Sequence, residues 1–177
     1  MEILSTDLPE VKILIPKVFE DERGFFTESW NYRDFTENLQ IDINFVQDNH
    51  SRSRKGVIRG MHYQVPPHAQ SKLVRCISGE IFDVAVDIRK ESPTYKRWVG
   101  VYLSSLNRRQ LWIPKGFAHG FIALSEYAEV QYKTDEYWYK DYERSFRWDD
   151  PEIGIKWPNC KEFIISKKDK NASFLNK

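Results

Sequence analysis

Cysteine is scarce in this chain of 177 residues, with only Cys76 and Cys160 present. Two thiols make no framework of spaced pairs, so they are expected to be reduced, in a cytoplasmic protein. Net charge is nearly absent as well: 27 Lys and Arg against 26 Asp and Glu leave a formal +1. The basic residues are scattered among acids, which predicts neither nucleic acid nor an anionic membrane as a partner. The opening MEILSTDLPE is acidic and has no basic region followed by an apolar run, so no signal peptide is expected. No apolar stretch is long enough to span a bilayer. A Gly-rich loop leading into a helix is also missing, which argues against P-loop and Rossmann sites.

What is present is strand signal. The stretches 11–19, 43–51, 56–64, 72–79, 80–89, 98–104, 109–116, 118–125 and 128–138 are short and rich in Val, Ile, Phe, Tyr and Trp. Gly, Pro, Asn or Ser punctuates them. Only 31–41 reads as a helix, with Phe35 and Leu39 four apart and Asn31 as cap. The polar end of the chain is expected to loop or fray. No repeat or linker interrupts the pattern, and 177 residues suit one domain with its own core. The fold class expected is all-β, an antiparallel sandwich or barrel with few short helices.

Strand alternation in 80–89 sets Ile81, Asp83, Ala85 and Asp87 on one face and Phe82, Val84, Val86 and Ile88 on the other. The second set reads as a packing face against another sheet. Asp87 beside Arg89 reads as a surface or rim ion pair. Asp83 lies deeper between apolar neighbours and is a candidate to point into a polar cavity, since small β-barrels hold ligands in interiors lined with polar groups.

The stretch VIRGMHYQ (57–64) combines strand residues with Arg59, His62 and Gln64, which are costly to bury without partners. Strict alternation puts Arg59 and His62 on opposite faces. If both line one cavity, a bulge near Gly60 has to re-aim one of them. Of the four histidines, His68 in a turn-like VPPHAQ reads as structural, whereas His62 and His119 sit beside glycine in apolar strands. A metal would favour histidines at i and i+2 of one strand, and Gln64 occupies that position after His62. The acid–base reading therefore comes first: His62 is the candidate base, oriented by a carboxylate. Tyr132 offers a phenol that can only donate at neutral pH, or is simply one of nine structural tyrosines. Lys72 either stabilises a developing oxyanion or marks the barrel rim. Arg23, Glu28 and the neighbouring phenylalanines, with Gln47, Asp48 and Asn49, suit an anionic ligand bearing a base, or form a surface turn.

Taken in order, VFEDERGFFTESW, FVQDNHSRSRKGVIRGMHYQ, AQSKLVRCISGEIFDVAVDIRKESPTY, QLWIPKGFAHGF, YAEVQYKT and WDDPEIGIKWP resemble the dTDP-4-dehydrorhamnose 3,5-epimerase family, cupin-type jelly-roll enzymes. The resemblance runs from about residue 10 to residue 158 and weakens beyond. It implies His62 as base, Asp169 as its carboxylate partner, Tyr132 as proton donor and Lys72 as the group that stabilises enolate charge. It places His119 and Asp83 in the cavity. It gives Arg23, Glu28, Gln47, Asn49, Arg59, Glu143 and Lys168 to the nucleotide, with an aromatic at 138 stacking on thymine. Arg23 and Glu28 would reach the site of a second subunit through an exchanged N-terminal strand (about 11–30) of a homodimer. The substrate implied is a dTDP-4-keto sugar, and no metal or redox cofactor is required. Two departures stand out: Trp138 replaces the frequent tyrosine, and YWYKDYERSF replaces a serine- and proline-rich turn.

Overall fold

The computed structural model describes residues 1–175. In chain order it comprises β1 (Glu2–Ser5), β2 (Lys12–Ile15), β3 (Val18–Asp21), β4 (Gly24–Thr27), α1 (Tyr32–Leu39), β5 (Gln47–Arg54), β6 (Val57–Gln64), β7 (Lys72–Ser78) and β8 (Glu80–Asp87). There follow β9 (Trp98–Ser104), β10 (Gln110–Ile113), β11 (Phe117–Ala123), β12 (Tyr127–Thr134), a 3₁₀ turn at Lys140–Tyr142, β13 (Glu143–Ser145), β14 (Ile164–Ile165) and α2 (Lys167–Lys170). One sheet runs β1-β2-β10-β7-β12-β5 and the other β13-β6-β11-β8-β9, with β14 pairing β6; β3 and β4 form a separate hairpin. This is the all-β antiparallel sandwich expected from the punctuated strand pattern, and the cupin-type jelly roll that the family resemblance implies. Among the described residues no helix is long and apolar enough to cross a membrane.

The helix predicted over 31–41 forms as α1, with the Asn31 side chain accepting a hydrogen bond from the Asp34 amide at 3.2 Å. Such a cap contributes about 1 kcal/mol. Phe35 is buried and packs edge-on against Trp112, their centroids 5.3 Å apart. The stretch 11–19 divides into β2 and β3, because Pro16 has no N–H to donate to a ladder.

The interior of the sandwich carries Val74 and Cys76 of β7, Leu111 and Ile113 of β10, and Ala128 and Val130 of β12. Ile81 and Ala85 of β8 and Phe121 and Ala123 of β11 face them. The alternation in β8 holds, but its faces are assigned the other way. Ile81, Asp83 and Ala85 look toward the opposing sheet, whereas Phe82, Val84 and Val86 pack with Phe146 and Ile153 beneath the C-terminal segment. That segment supplies enough apolar surface (Trp148, Trp157, Phe163) to cover the outer face.

Asp87 is a second correction. It is fully buried and accepts from Arg89 Nε and Nη2 at 2.9 and 2.7 Å, Ser92 Oγ at 2.5 Å and Thr94 Oγ1 at 2.6 Å. Burial pushes its carboxyl up, but these donors outweigh burial and hold it well below the carboxylate range. Asp87→Ala is therefore expected to cost about 2–3 kcal/mol, seen as a lower midpoint in thermal unfolding. The folded-state value lies below that of the unfolded chain. The stabilisation is thus present above pH ~4 and fades as pH falls through the folded value. A variant whose stability and acid midpoint match the parent would remove this role.

Candidate active site

The interior face that is apolar along most of its length turns polar at one end. On β7 the face of Val74 and Cys76 continues to Lys72; on β12 the face of Ala128 and Val130 continues to Tyr132. On the opposing sheet β11 contributes His119 and β6 contributes His62. These side chains line a cavity of about 930 Å³, in the range of ligand sites.

Arg59 and His62 both line it, and the bulge that this requires is present. In the β6–β11 ladder His62 pairs His119 while Arg59 pairs Phe121, so β6 uses three steps where β11 uses two. Gly60 sits at φ +138°, and a Cβ there would lie 2.6 Å from the Gly120 Cα. Only paired glycines allow this approach, and it re-aims Arg59 into the cavity.

His62 Nε2 lies 2.7 Å from Asp169 Oδ1, and the Asp169 side chain is almost wholly buried. Burial pushes the Asp169 carboxyl up, but the hydrogen bonds from His62 and Ser166 more than offset this and leave it below the usual range. Asp169 therefore stays ionised, a fixed acceptor for the imidazole N–H beside it. Its placement corrects the expectation of a looping or frayed C-terminus. β14 pairs in parallel with β6, Ile164 opposite Val57. Ser166 then caps α2 by accepting from the Asp169 amide at 3.0 Å. The last two residues of that tail lie outside the described residues.

His119 is buried, with Nε2 2.8 Å from Asp83 Oδ1, the carboxylate behind it being fully buried. Burial pushes the imidazole below its ordinary value, only partly opposed by Asp83. His119 is thus neutral at pH 7. Lys72 is buried rather than at a rim, its Nζ 3.4 Å from the His62 carbonyl and 6.0 Å from the Tyr132 ring centroid. Burial lowers its ammonium to about 8, with Asp83 and Glu143 resisting. The Tyr132 phenol is pushed up by burial and by Glu143, so it remains a donor throughout the neutral range.

At the cavity mouth Arg59 Nε donates to Ser53 Oγ at 2.9 Å, and Lys168 Nζ meets Glu143 Oε2 at 2.6 Å. Gln47, Asn49 and the half-exposed Trp138 also line it. Arg23 and Glu28 do not. Arg23 is exposed and pairs with Asp21 at the tip of the β3–β4 hairpin, and Glu28 lies by Asn31 at the start of α1. Sequence reasoning passed over Gln70, Tyr137 and Ser166, which also line the cavity, and left Gln64, another lining residue, without a role. A signal existed for Ser166, since Ser-x-x-Asp is a helix-start pattern. For Gln64 it lay in the two-residue spacing from His62, which puts both on one face. Among the described residues no group of three or more His, Cys, Asp or Glu side chains is disposed to hold a metal ion.

A family model for dTDP-4-dehydrorhamnose 3,5-epimerase matches residues 5–177, so the match continues through the tail where the resemblance had weakened. A dTDP-4-dehydrorhamnose 3,5-epimerase from Shigella flexneri is 57% identical over 172 residues, 97% of this chain and 94% of the relative. A crystal structure of a dTDP-6-deoxy-D-glucose-3,5-epimerase from Legionella pneumophila, in complex with dTDP-4-keto-L-rhamnose, is similar at TM-score 0.96. It shares 51% identity, and the match covers 99% of this chain and 93% of that one. A 3'-monoepimerase from Streptomyces bikiniensis in complex with dTDP-quinovose shares 29% identity at TM-score 0.91, over 97% of this chain and 87% of that one.

Proposed function

The chain belongs to the dTDP-4-dehydrorhamnose 3,5-epimerase family, and from that premise we propose how its cavity carries out the reaction. The enzyme is an isomerase that converts dTDP-4-dehydro-6-deoxy-D-glucose to dTDP-4-dehydro-L-rhamnose. The 4-keto group acidifies the hydrogens on C3 and C5, so inversion at each carbon needs a base on one face, a proton source on the other, and support for the enolate oxygen between. The observation that carries the assignment of roles is the His62 imidazole, backed by the buried Asp169 carboxylate and facing the same cavity as Lys72 and Tyr132.

In this reading His62, with Nε2–H donating to Asp169, keeps a lone pair on Nδ1 and removes the proton; Asp169 stabilises the resulting imidazolium. The electron pair of the broken C–H bond passes to the C4 oxygen, where the Lys72 ammonium meets it. Tyr132 delivers a proton to the opposite face and regains one from solvent, to which the His62 imidazolium gives up the proton that it took, so the base is neutral again for the second carbon. His119, neutral and anchored on Asp83, supplies a fixed hydrogen-bonding wall. Arg59, Lys168, Gln47, Asn49 and Glu143 receive the nucleotide, and the exposed indole of Trp138 stacks on thymine.

Lys72 must be charged for this role, which sets the sign of the pH dependence. The ammonium is present below about 8 and is lost above it. The expected kcat/KM profile therefore falls on its alkaline side near pH 8, and Lys72→Met abolishes that limb. An alkaline limb that survives the substitution contradicts the assignment.

The hairpin of β3 and β4 supports a homodimer with an exchanged arm. Phe19, Phe25 and Phe26 are 51%, 57% and 65% exposed there, and Arg23 and Glu28 lie outside their own chain's cavity. The chain acts as one domain in this reading, and the free thiols of Cys76 and Cys160 fit a cytoplasmic location. The reaction itself is tested by incubating the protein with dTDP-4-dehydro-6-deoxy-D-glucose and determining product configuration by proton NMR. Inversion at C3 and C5 is expected; inversion at one carbon alone would make it a single-carbon epimerase.

A further inference from the structure

The segment that follows β12 presents Trp138 at the cavity mouth, yet the indole is 53% exposed and has little packing to hold it. The backbone around it is held instead by three glutamine side chains from separate parts of the chain. Gln70 Nε2 donates to the Glu136 carbonyl at 2.8 Å. Gln64 Nε2 donates to the Tyr137 carbonyl at 3.0 Å, and its Oε1 accepts from the Tyr139 amide at 2.6 Å. Gln47 Oε1 accepts from the Trp138 amide at 3.1 Å.

Gln64 is the centre of this arrangement. It is 6% exposed, and its second amide hydrogen goes to the His68 carbonyl at 2.7 Å. Both donors and the acceptor oxygen are thus committed to backbone groups. Only a primary amide offers two donors and an acceptor from one planar group; a carboxylate would face two carbonyls, and an apolar side chain would leave three backbone groups without this partner. The His68 ring, held by the same residue, stacks on Tyr139 at 3.8 Å between centroids. Gln64 also lies two residues from His62 on one face of β6, so one rigid strand carries both the proposed base and the anchor of the aromatic segment.

We propose that Gln64, assisted by Gln47 and Gln70, is a positioning residue that sets Trp138 at a fixed distance from His62, so that a nucleotide stacked at the mouth presents its sugar to the base. This rests on the reading of Trp138 as the thymine-stacking residue. Gln47, besides lining the nucleotide site, then also acts through the Trp138 backbone. Loss of Gln64 is felt in binding, because the segment that receives the nucleotide loses its orientation while His62, Lys72 and Tyr132 keep theirs.

The test is a double-mutant cycle read by calorimetric titration with dTDP, together with steady-state kinetics. Trp138→Ala is expected to weaken dTDP by about 10- to 100-fold, the size of a lost base–aromatic stack. Gln64→Met should reproduce most of that loss and raise KM, with kcat at saturation within about threefold. The double variant should bind no more than about twofold more weakly than Trp138→Ala, since an absent indole cannot be mispositioned. Losses that multiply, an unchanged dTDP affinity in Gln64→Met, or a fall in kcat at constant KM each overturn the clamp. If Trp138→Ala binds dTDP normally, the stacking reading fails first, and the clamp falls with it. Should Gln64→Met not fold, the cycle is run with Gln70→Ala, which removes only the Glu136 bond; coupling to Trp138 supports the clamp and independent losses refute it.

Discussion

His62→Ala should lower turnover by on the order of 10³- to 10⁴-fold while leaving dTDP affinity within a few-fold of the parent. The asymmetry follows from where His62 sits. Its ring lines the cavity and pairs with Asp169, whereas the groups assigned to the nucleotide lie along Arg59, Lys168 and Trp138. Alanine would also strip a buried carboxylate of its partner, so part of any loss could reflect a disturbed α2. His62→Gln separates the two effects, because its side-chain amide reaches the place of the imidazole Nε2 and can still donate to Asp169 but cannot accept a carbon-bound proton. Both variants should lose hydrogen exchange at C3 and C5 together. Turnover near the parent level in either one, with dTDP still bound, would remove His62 from the role of base.

Lys72→Met should lower kcat by about 10²- to 10³-fold, the usual consequence of removing one donor from a developing oxyanion. The methionine preserves most of the stem and removes the charge, so the loss is chemical rather than a packing defect. Because the same C4 oxygen carries the charge whichever carbon is deprotonated, exchange at C3 and at C5 should fall by similar factors. That pattern distinguishes Lys72 from a proton donor serving one carbon, whose loss would spare exchange at the other. A lesion confined to one carbon would place the ammonium elsewhere in the mechanism.

The longer strands and α1, with Asn31 as its cap, were legible in the sequence because alternation and punctuation are local properties, whereas β1, β4, β13 and β14 fall outside the stretches that the pattern marks. The bulge near Gly60 was legible as well, since no flat strand could turn both Arg59 and His62 into one cavity. Which face of β8 looked inward was not. Both faces are apolar enough to bury, and only the C-terminal segment, folded over Phe82 and Val84, decides between them. Asp87 was read as a rim ion pair because Arg89 is its neighbour; the hydroxyls of Ser92 and Thr94 that let it be buried come from a turn whose path alternation does not encode. Asp169 was identified through resemblance, while polar composition alone suggested a loose end. A single hydrogen bond to His62 and a four-residue helix capped by Ser166 are too small to register as a pattern. Gln64 reads in the sequence as costly to bury and as standing where a second histidine would be, and its three backbone partners lie 4, 73 and 75 residues away in the chain.

The most direct measurement is proton NMR of dTDP-4-dehydro-6-deoxy-D-glucose incubated with the protein in deuterated water, following the C3 and C5 signals as the product forms. Proton abstraction by His62 next to the 4-keto group requires both signals to disappear as deuterium enters, with both centres inverted. Inversion without deuterium uptake at either carbon, or loss of one signal while the other persists through full turnover, would contradict a base-catalysed double epimerisation.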